Sequence, residues 1–169
     1  MNIPLLAQIE LLIFPLFLLT GGLFDLLTLR LENKFNLFGF LLFFPTAWLI
    51  GIPLDDMLIH LLTGSVFLLL GLIAFAFRFF GGGDGKFIAV VALWLGYEPI
   101  ASFLLYTGVF GGLLALGILL GGRFLPIIYQ PEFFKPMVER KQVPYATAMA
   151  IAALCVYPET VIWSILMPS

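Results

Sequence analysis

The sequence predicts an all-α polytopic membrane protein, a bundle of six transmembrane helices with a short or irregular fourth. Three observations carry that reading. Of 169 residues, 62% are apolar and 11% charged, where a soluble domain carries about 25% charged residues. The apolar residues gather into six runs, most of them near the ~20 residues that cross a hydrocarbon layer. All eight Lys and Arg fall in alternate connections between those runs, as expected of loops held on the cytoplasmic side.

Taken in order, the runs cover residues 5–24, 37–53, 57–77, 87–97, 100–120 and 144–167. The first follows residues without the basic n-region of a cleavable signal, so it is expected to persist as a helix. The fourth is the short one: eleven residues (87 to 97) rise only about 16 Å, so it spans with help from its flanks or re-enters. Charge placement favours crossing. Arg30 and Lys34 follow the first run, Arg78 and Lys86 the third, and Arg123, Lys135, Arg140 and Lys141 the fifth. Six crossings put all of these on one side, with both termini outside, and leave Asp55, Asp56 and Glu98 on the other. Trp48, Trp94 and Trp163 then fall near outer ends, where amphipathic rings favour the headgroup zone.

The fifth run carries Gly108, Gly112, Gly117 and Gly121, a small-residue stripe that is expected to form a helix-packing face. The connection 122–143 mixes charge with Phe124, Ile127, Ile128, Phe133, Phe134 and Met137, a pattern that suits the inner membrane surface. In the last run, Pro158 is expected to bend the helix and free a carbonyl, with Glu159 making a polar contact in the bundle. No repeat or linker divides the chain, so residues 1–169 read as a single membrane-embedded domain. A net charge of −2 and scattered basic residues exclude a nucleic-acid surface. The lone Cys155 excludes an internal disulfide and a cysteine-rich zinc site; it reads as a small buried hydrophobe.

Ionisable groups at membrane depth are costly and are functional candidates by default. Asp25 closes the first run on the inner side, and Asp84 sits in Phe80-Gly81-Gly82-Gly83-Asp84-Gly85-Lys86 at the inner start of the fourth. The topology therefore brings two carboxylates from different helices to one membrane face. Two carboxylates held close cannot both ionise easily, so the pair shares a proton. One member can then draw a proton from water while the other donates to a peptide carbonyl. No metal or other cofactor is needed. The glycines leave the backbone bare for an extended substrate and permit non-helical backbone where it lines a wet cavity. A phosphate loop would need Ser or Thr after the lysine, and Lys86 is followed by Phe87.

The segment Gly81-Gly82-Gly83-Asp84-Gly85-Lys86 resembles the GxGD-x-K signature of type IV prepilin peptidases, a family of GxGD intramembrane aspartyl proteases. Asp25 through Asn33 looks like that family's first aspartate segment, with Leu31 in place of the usual Ile and Glu32 in place of Pro. Val143-Pro144-Tyr145-Ala146 is similar to the small single-domain TadV/CpaA-like branch associated with Tad/Flp pili. The resemblance implies cleavage of short basic leader peptides of prepilin-like substrates at the cytoplasmic face of the inner membrane. It implies catalytic roles for Asp25 and Asp84, and a part for Gly81, Gly83, Lys86 and Asn33 in the motif and the approach of substrate. Larger relatives carry an extra cytoplasmic region with paired cysteines and methylate the new amino terminus. This sequence has neither that region nor those cysteines, so peptidase activity without methyl transfer is expected.

Two other readings use the same residues. A small proton- or cation-coupled transporter would use Asp25 and Asp84 for ion passage, with polar groups continuing across the bundle. A non-catalytic membrane subunit of a pilus or secretion machine would not need the aspartates. His60, on the outer part of the third run, reads as a helix-packing or interfacial residue.

Overall fold

The computed structural model describes residues 5–78, 81–124, 126, 129–140 and 142–167. Phe80, Ile127, Ile128 and Lys141 of the sequence argument lie outside the described residues. All regular structure among the described residues is helical. The elements are α1 (Leu5–Thr28), α2 (Asn33–Ile50), α3 (Leu54–Ala76), α4 (Gly82–Leu95), α5 (Ile100–Phe124), α6 (Lys135–Arg140), α7 (Tyr145–Val156) and α8 (Val161–Leu166), with a 3-10 turn over Tyr157–Glu159. Helices are the natural outcome for chain in lipid, since every backbone polar group must be satisfied within the segment.

Three stretches, Glu10–Thr28, Leu54–Ala76 and Ile100–Phe124, are long and apolar enough to cross a membrane. Their outer faces are apolar as well: Leu12, Leu16, Leu19 and Leu23 of α1 are each more than half exposed. An apolar exterior of this kind is stable only against lipid. The chain is a membrane protein.

The short fourth helix is the core of the bundle. Residues 87–95 of α4 are all buried, and α2, α3 and α7 pack around them. A helix that is apolar on every side is a buried helix, and one enclosed by protein need not match the bilayer's thickness. That is the physical reason for its length of 14 residues. The α3–α4 contact is closest at a pair of glycines: a Cβ on Gly71 would lie 2.3 Å from the Gly85 carbonyl oxygen. Farther along, a Cβ on Gly64 would lie 2.9 Å from Leu93 Cβ.

Aromatic rings fill the rest of the core. Phe14 stacks on Trp94 at 5.0 Å between centroids, and Phe43 meets the same indole edge-on at 5.6 Å. The indole N–H donates to the Gly39 carbonyl at 2.9 Å. Trp94 is therefore a core residue and not part of an interfacial belt, whereas Trp48 is 82% exposed. The difference arises because α4 is enclosed by other helices while α2 has a free outer end.

The glycine stripe of α5 is not the packing face expected from its spacing. Cβ atoms on Gly108, Gly112 and Gly117 would meet nothing within 4 Å. Gly121 does serve a contact, with Phe134 of the following connection, and Gly122 meets Val138 of α6. The connection thus folds back on α5 through Phe134, Val138 and the buried Met137. Small residues permit close approach but do not supply a partner, and here the partners chose Gly64, Gly71 and Gly85.

The last run is broken where Pro158 predicts. The helix gives way to the 3-10 turn, and Thr160 restarts it by accepting from the Trp163 amide at 3.1 Å, an ordinary N-cap. Two expectations fail here. Glu159 is exposed and not turned into the bundle, and Cys155 is exposed. His60 is a packing residue: it is buried, and its Nδ1 lies 2.7 Å from the Leu93 carbonyl oxygen of α4. Its ring sits against Gly96, which has φ +75° and would bring a Cβ within 2.9 Å of the imidazole. Both the left-handed backbone and the missing space call for glycine there.

Candidate active site

The aspartate at position 25 lies one turn from the end of α1. The helix closes with the Leu29 amide donating to the Asp25 carbonyl at 2.8 Å, and Leu29 takes φ +54°, a strained conformation for a residue with a branched side chain. That strained turn sends the chain at once into residues 30–32 and α2. The Asp25 side chain is 3% exposed. Its carboxylate faces the first turn of α7: Oδ2 accepts from the Thr147 amide at 3.2 Å, and the Ala146 amide is also turned toward it. These are amides that the helix itself leaves without partners. Thr147 makes a second tie to α1, donating from Oγ1 to the Gly22 carbonyl at 2.8 Å.

Asp84 is placed by the start of α4. Gly81 is the N-cap, with φ −66° and ψ 147°, and Asp84 is the third residue of the helix. Its carboxylate reaches back to accept from the Gly81 amide, which is half of a capping box. The glycine run is therefore helical from Gly82 on, a correction to the expected irregular backbone. The acidic side chain in the first turn satisfies an orphan amide, and that is enough to begin the helix at the glycines.

What brings the two aspartates together is contact between their turns. A Cβ on Gly83 would lie 2.6 Å from the Leu31 carbonyl oxygen, so the connection after Asp25 rests directly on the backbone before Asp84. The two carboxyl groups come within electrostatic range of one another. A polar cleft of about 540 Å³ opens at this junction, lined by residues 29–34 and 81–84. Asp84 lines that cleft.

The other predicted residues fall around the same turns. Gly81 sits against the Asp84 carboxylate, where a Cβ would be 3.1 Å from Oδ2. Lys86 Nζ donates to Asn33 Oδ1 at 2.6 Å, tying the start of α4 to the start of α2. Lys86 and Asn33 are thus partners of each other, and Asn33 lines the cleft.

Two residues of this region were not picked out by sequence reasoning. Asn36 is 3% exposed and donates from Nδ2 to the Gly83 carbonyl at 3.0 Å, holding the peptide just before Asp84. A polar residue three positions after Asn33 within an apolar run was the available signal. Thr147 was invisible for a different reason: its partner Asp25 lies 122 positions away. The only hint was Pro144 opening a helix, since that implies free amides in need of an acceptor.

No curated protein and no solved structure matches the chain significantly. The model of the type IV leader peptidase family matches residues 12–116, a span that takes in Asp25, the turn after it, Asn36 and the whole Gly81–Lys86 segment. The chain belongs to the type IV leader peptidase family.

Proposed function

We propose that the chain is an aspartic endopeptidase that removes basic leader peptides from prepilin-like proteins of the Tad/Flp kind at the cytoplasmic face of the inner membrane. The observation that carries this reading is the contact of the turn after Asp25 with the backbone just before Asp84, which lines a polar cleft while Asp25 lies buried on α1. In the reaction, one carboxylate takes a proton from water as the water oxygen bonds to the scissile carbonyl carbon. The other, protonated, gives its proton to the carbonyl oxygen. Collapse of the tetrahedral species breaks the C–N bond, and a proton passes to the leaving nitrogen. The products are a carboxylic acid and an amine, and the pair again holds one proton. The Thr147 and Ala146 amides hold one carboxylate and the Gly81 amide the other, so neither has to be ordered during the reaction.

Six crossings, with α4 as the enclosed fourth and α7–α8 together as the sixth, put the cleft on the side that carries all eight basic residues, which supports a cytoplasmic site. Peptidase activity without methyl transfer completes the proposal. Co-expression of the wild type, Asp25→Asn and Asp84→Asn with a prepilin-like protein tests it. General acid–base groups contribute about 10²–10⁴-fold each, so each amide is expected to reduce processing at least a hundredfold with expression and membrane insertion unchanged. Cleavage that survives both substitutions would refute the aspartic mechanism. Transfer of a labelled methyl group from S-adenosylmethionine by the purified protein would refute the claim of peptidase activity alone.

A further inference from the structure

The connection from α1 to α2 bounds a second depression. The two helices touch little, and the space between their ends at this connection is a groove of about 540 Å³, lined by residues 24, 28, 30–32, 34, 35 and 38. Its floor is aromatic. Phe35 stacks on Phe17 at 4.7 Å and meets Phe24 edge-on at 6.2 Å, while Phe24 and Phe38 are 53% and 58% exposed. Its rim is charged, with Arg30, Glu32 and Lys34, all exposed. The apolar stretch long enough to cross a membrane ends at Thr28, so the aromatic floor lies at hydrocarbon depth and the rim begins where headgroups begin.

The cations at the rim are uncommitted. Among the described residues the ion pair is Lys135–Glu132, and no carboxylate lies within ion-pairing distance of Arg30 or Lys34. Arg30 and Lys34 against Glu32 leave the rim net positive. The Arg30 backbone is held in place, since its amide donates to Thr28 Oγ1 at 3.3 Å. An occupant must therefore offer apolar surface to the floor and negative charge to the rim, joined within the height of one groove. A phosphodiester headgroup on acyl chains has that form, and basic pockets between membrane helices attract anionic lipid headgroups. A zwitterionic headgroup adds an ammonium group beside two cations. A free phosphate leaves the aromatic floor uncovered.

We propose that the α1–α2 groove binds an anionic glycerophospholipid, its phosphate between Arg30 and Lys34 and an acyl chain along Phe24 and Phe38. The binding needs the chain's placement in a membrane and does not depend on peptidase activity. Residues 30–32 and 34 also line the cleft that holds Asp84, so the headgroup and the candidate active site share one wall.

The test purifies the full-length chain in mixed micelles of phosphatidylglycerol and phosphatidylcholine and reads the retained lipid by native mass spectrometry. Wild type should retain phosphatidylglycerol in preference. Each surface cation near an anionic lipid is worth roughly fivefold in affinity, so Arg30→Gln with Lys34→Gln should weaken retention about thirtyfold. Both side chains are exposed, so the double variant should keep the wild-type unfolding midpoint. Arg123→Gln, an exposed cation outside the groove, should change nothing. Phosphatidylglycerol with a photoactivatable group on its acyl chain should label the segment that contains Phe38, and the label should fall in the double variant. Equal retention of the two lipids overturns the proposal, as does an equal loss with Arg123→Gln, which would mean diffuse surface charge only. Displacement of the lipid by inorganic phosphate would assign the cations to a free anion instead. A dimer that retains no lipid would assign the groove to a second copy of this chain. Each of these results leaves the peptidase reading standing.

Discussion

Gly71→Ala is expected to loosen the contact on which the catalytic turn is built. The added Cβ would lie 2.3 Å from the Gly85 carbonyl oxygen and 2.9 Å from the Gly85 carbonyl carbon and Cα. Ordinary contact between such atoms needs roughly 1 Å more, and the obstacle is backbone, which cannot rotate aside as a side chain can. Overpacking of this kind costs about 1–3 kcal/mol. Alanine's higher helix propensity returns up to about 1 kcal/mol, so a net loss of about 1–2 kcal/mol is expected. For a chain of this size that corresponds to roughly 2–8 °C in Tm. The displaced residue neighbours Asp84, so processing should fall along with stability. The assay is thermal or dodecyl-sulfate unfolding of the detergent-solubilised protein, with Gly108→Ala and Gly112→Ala as controls. Their Cβ atoms would meet nothing within 4 Å, so those variants should be neutral or slightly more stable. If Gly108→Ala costs as much as Gly71→Ala, then α5 and not α3 supplies the tight packing face, and the reasoning fails.

Three other substitutions probe the site and its support. Asn36→Leu removes the side-chain donor to the Gly83 carbonyl; loss of one such hydrogen bond costs about 0.5–1.5 kcal/mol, so both unfolding midpoint and processing should drop, and an unchanged variant would show that the carbonyl does not depend on Asn36. Thr147→Pro removes the amide that faces Asp25 at a first-turn position that tolerates proline. Thr147→Ala removes only the Oγ1 bond to Gly22, worth about 1 kcal/mol; processing should be lost in the first and largely kept in the second, and equal activity in both would dismiss the amide. Trp94→Phe leaves the Gly39 carbonyl without its indole donor and shortens the stack on Phe14, for a loss of about 1–3 kcal/mol read by unfolding, whereas a surface tryptophan such as Trp48, 82% exposed, should be replaceable at no measurable cost.

The placement of the candidate residues was partly legible before any coordinates: Asp25, Asn33, Asp84 and Lys86 stand out as polar residues at the ends of apolar runs, Gly81 and Gly83 through the family resemblance, and all six fall around two adjoining turns. The Lys86–Asn33 bond joins two residues that the family resemblance had already singled out, without any sign that they would pair. Asn36 and Thr147 were not legible, since each matters through a backbone group supplied by another helix.

Hydropathy and charge are local properties, and they determined by themselves that this protein lives in a membrane, roughly where its long apolar helices lie, and where Pro158 breaks the last one. Side-chain partners are not local. Only the tertiary structure decided that α4 is short because it is enclosed, that Trp94 belongs to the core, and that Gly71 and Gly85 form the close crossing while the α5 glycines stay open. A glycine's smallness can be read in one dimension. Whether another backbone comes to use the space depends on the arrangement of every helix around it.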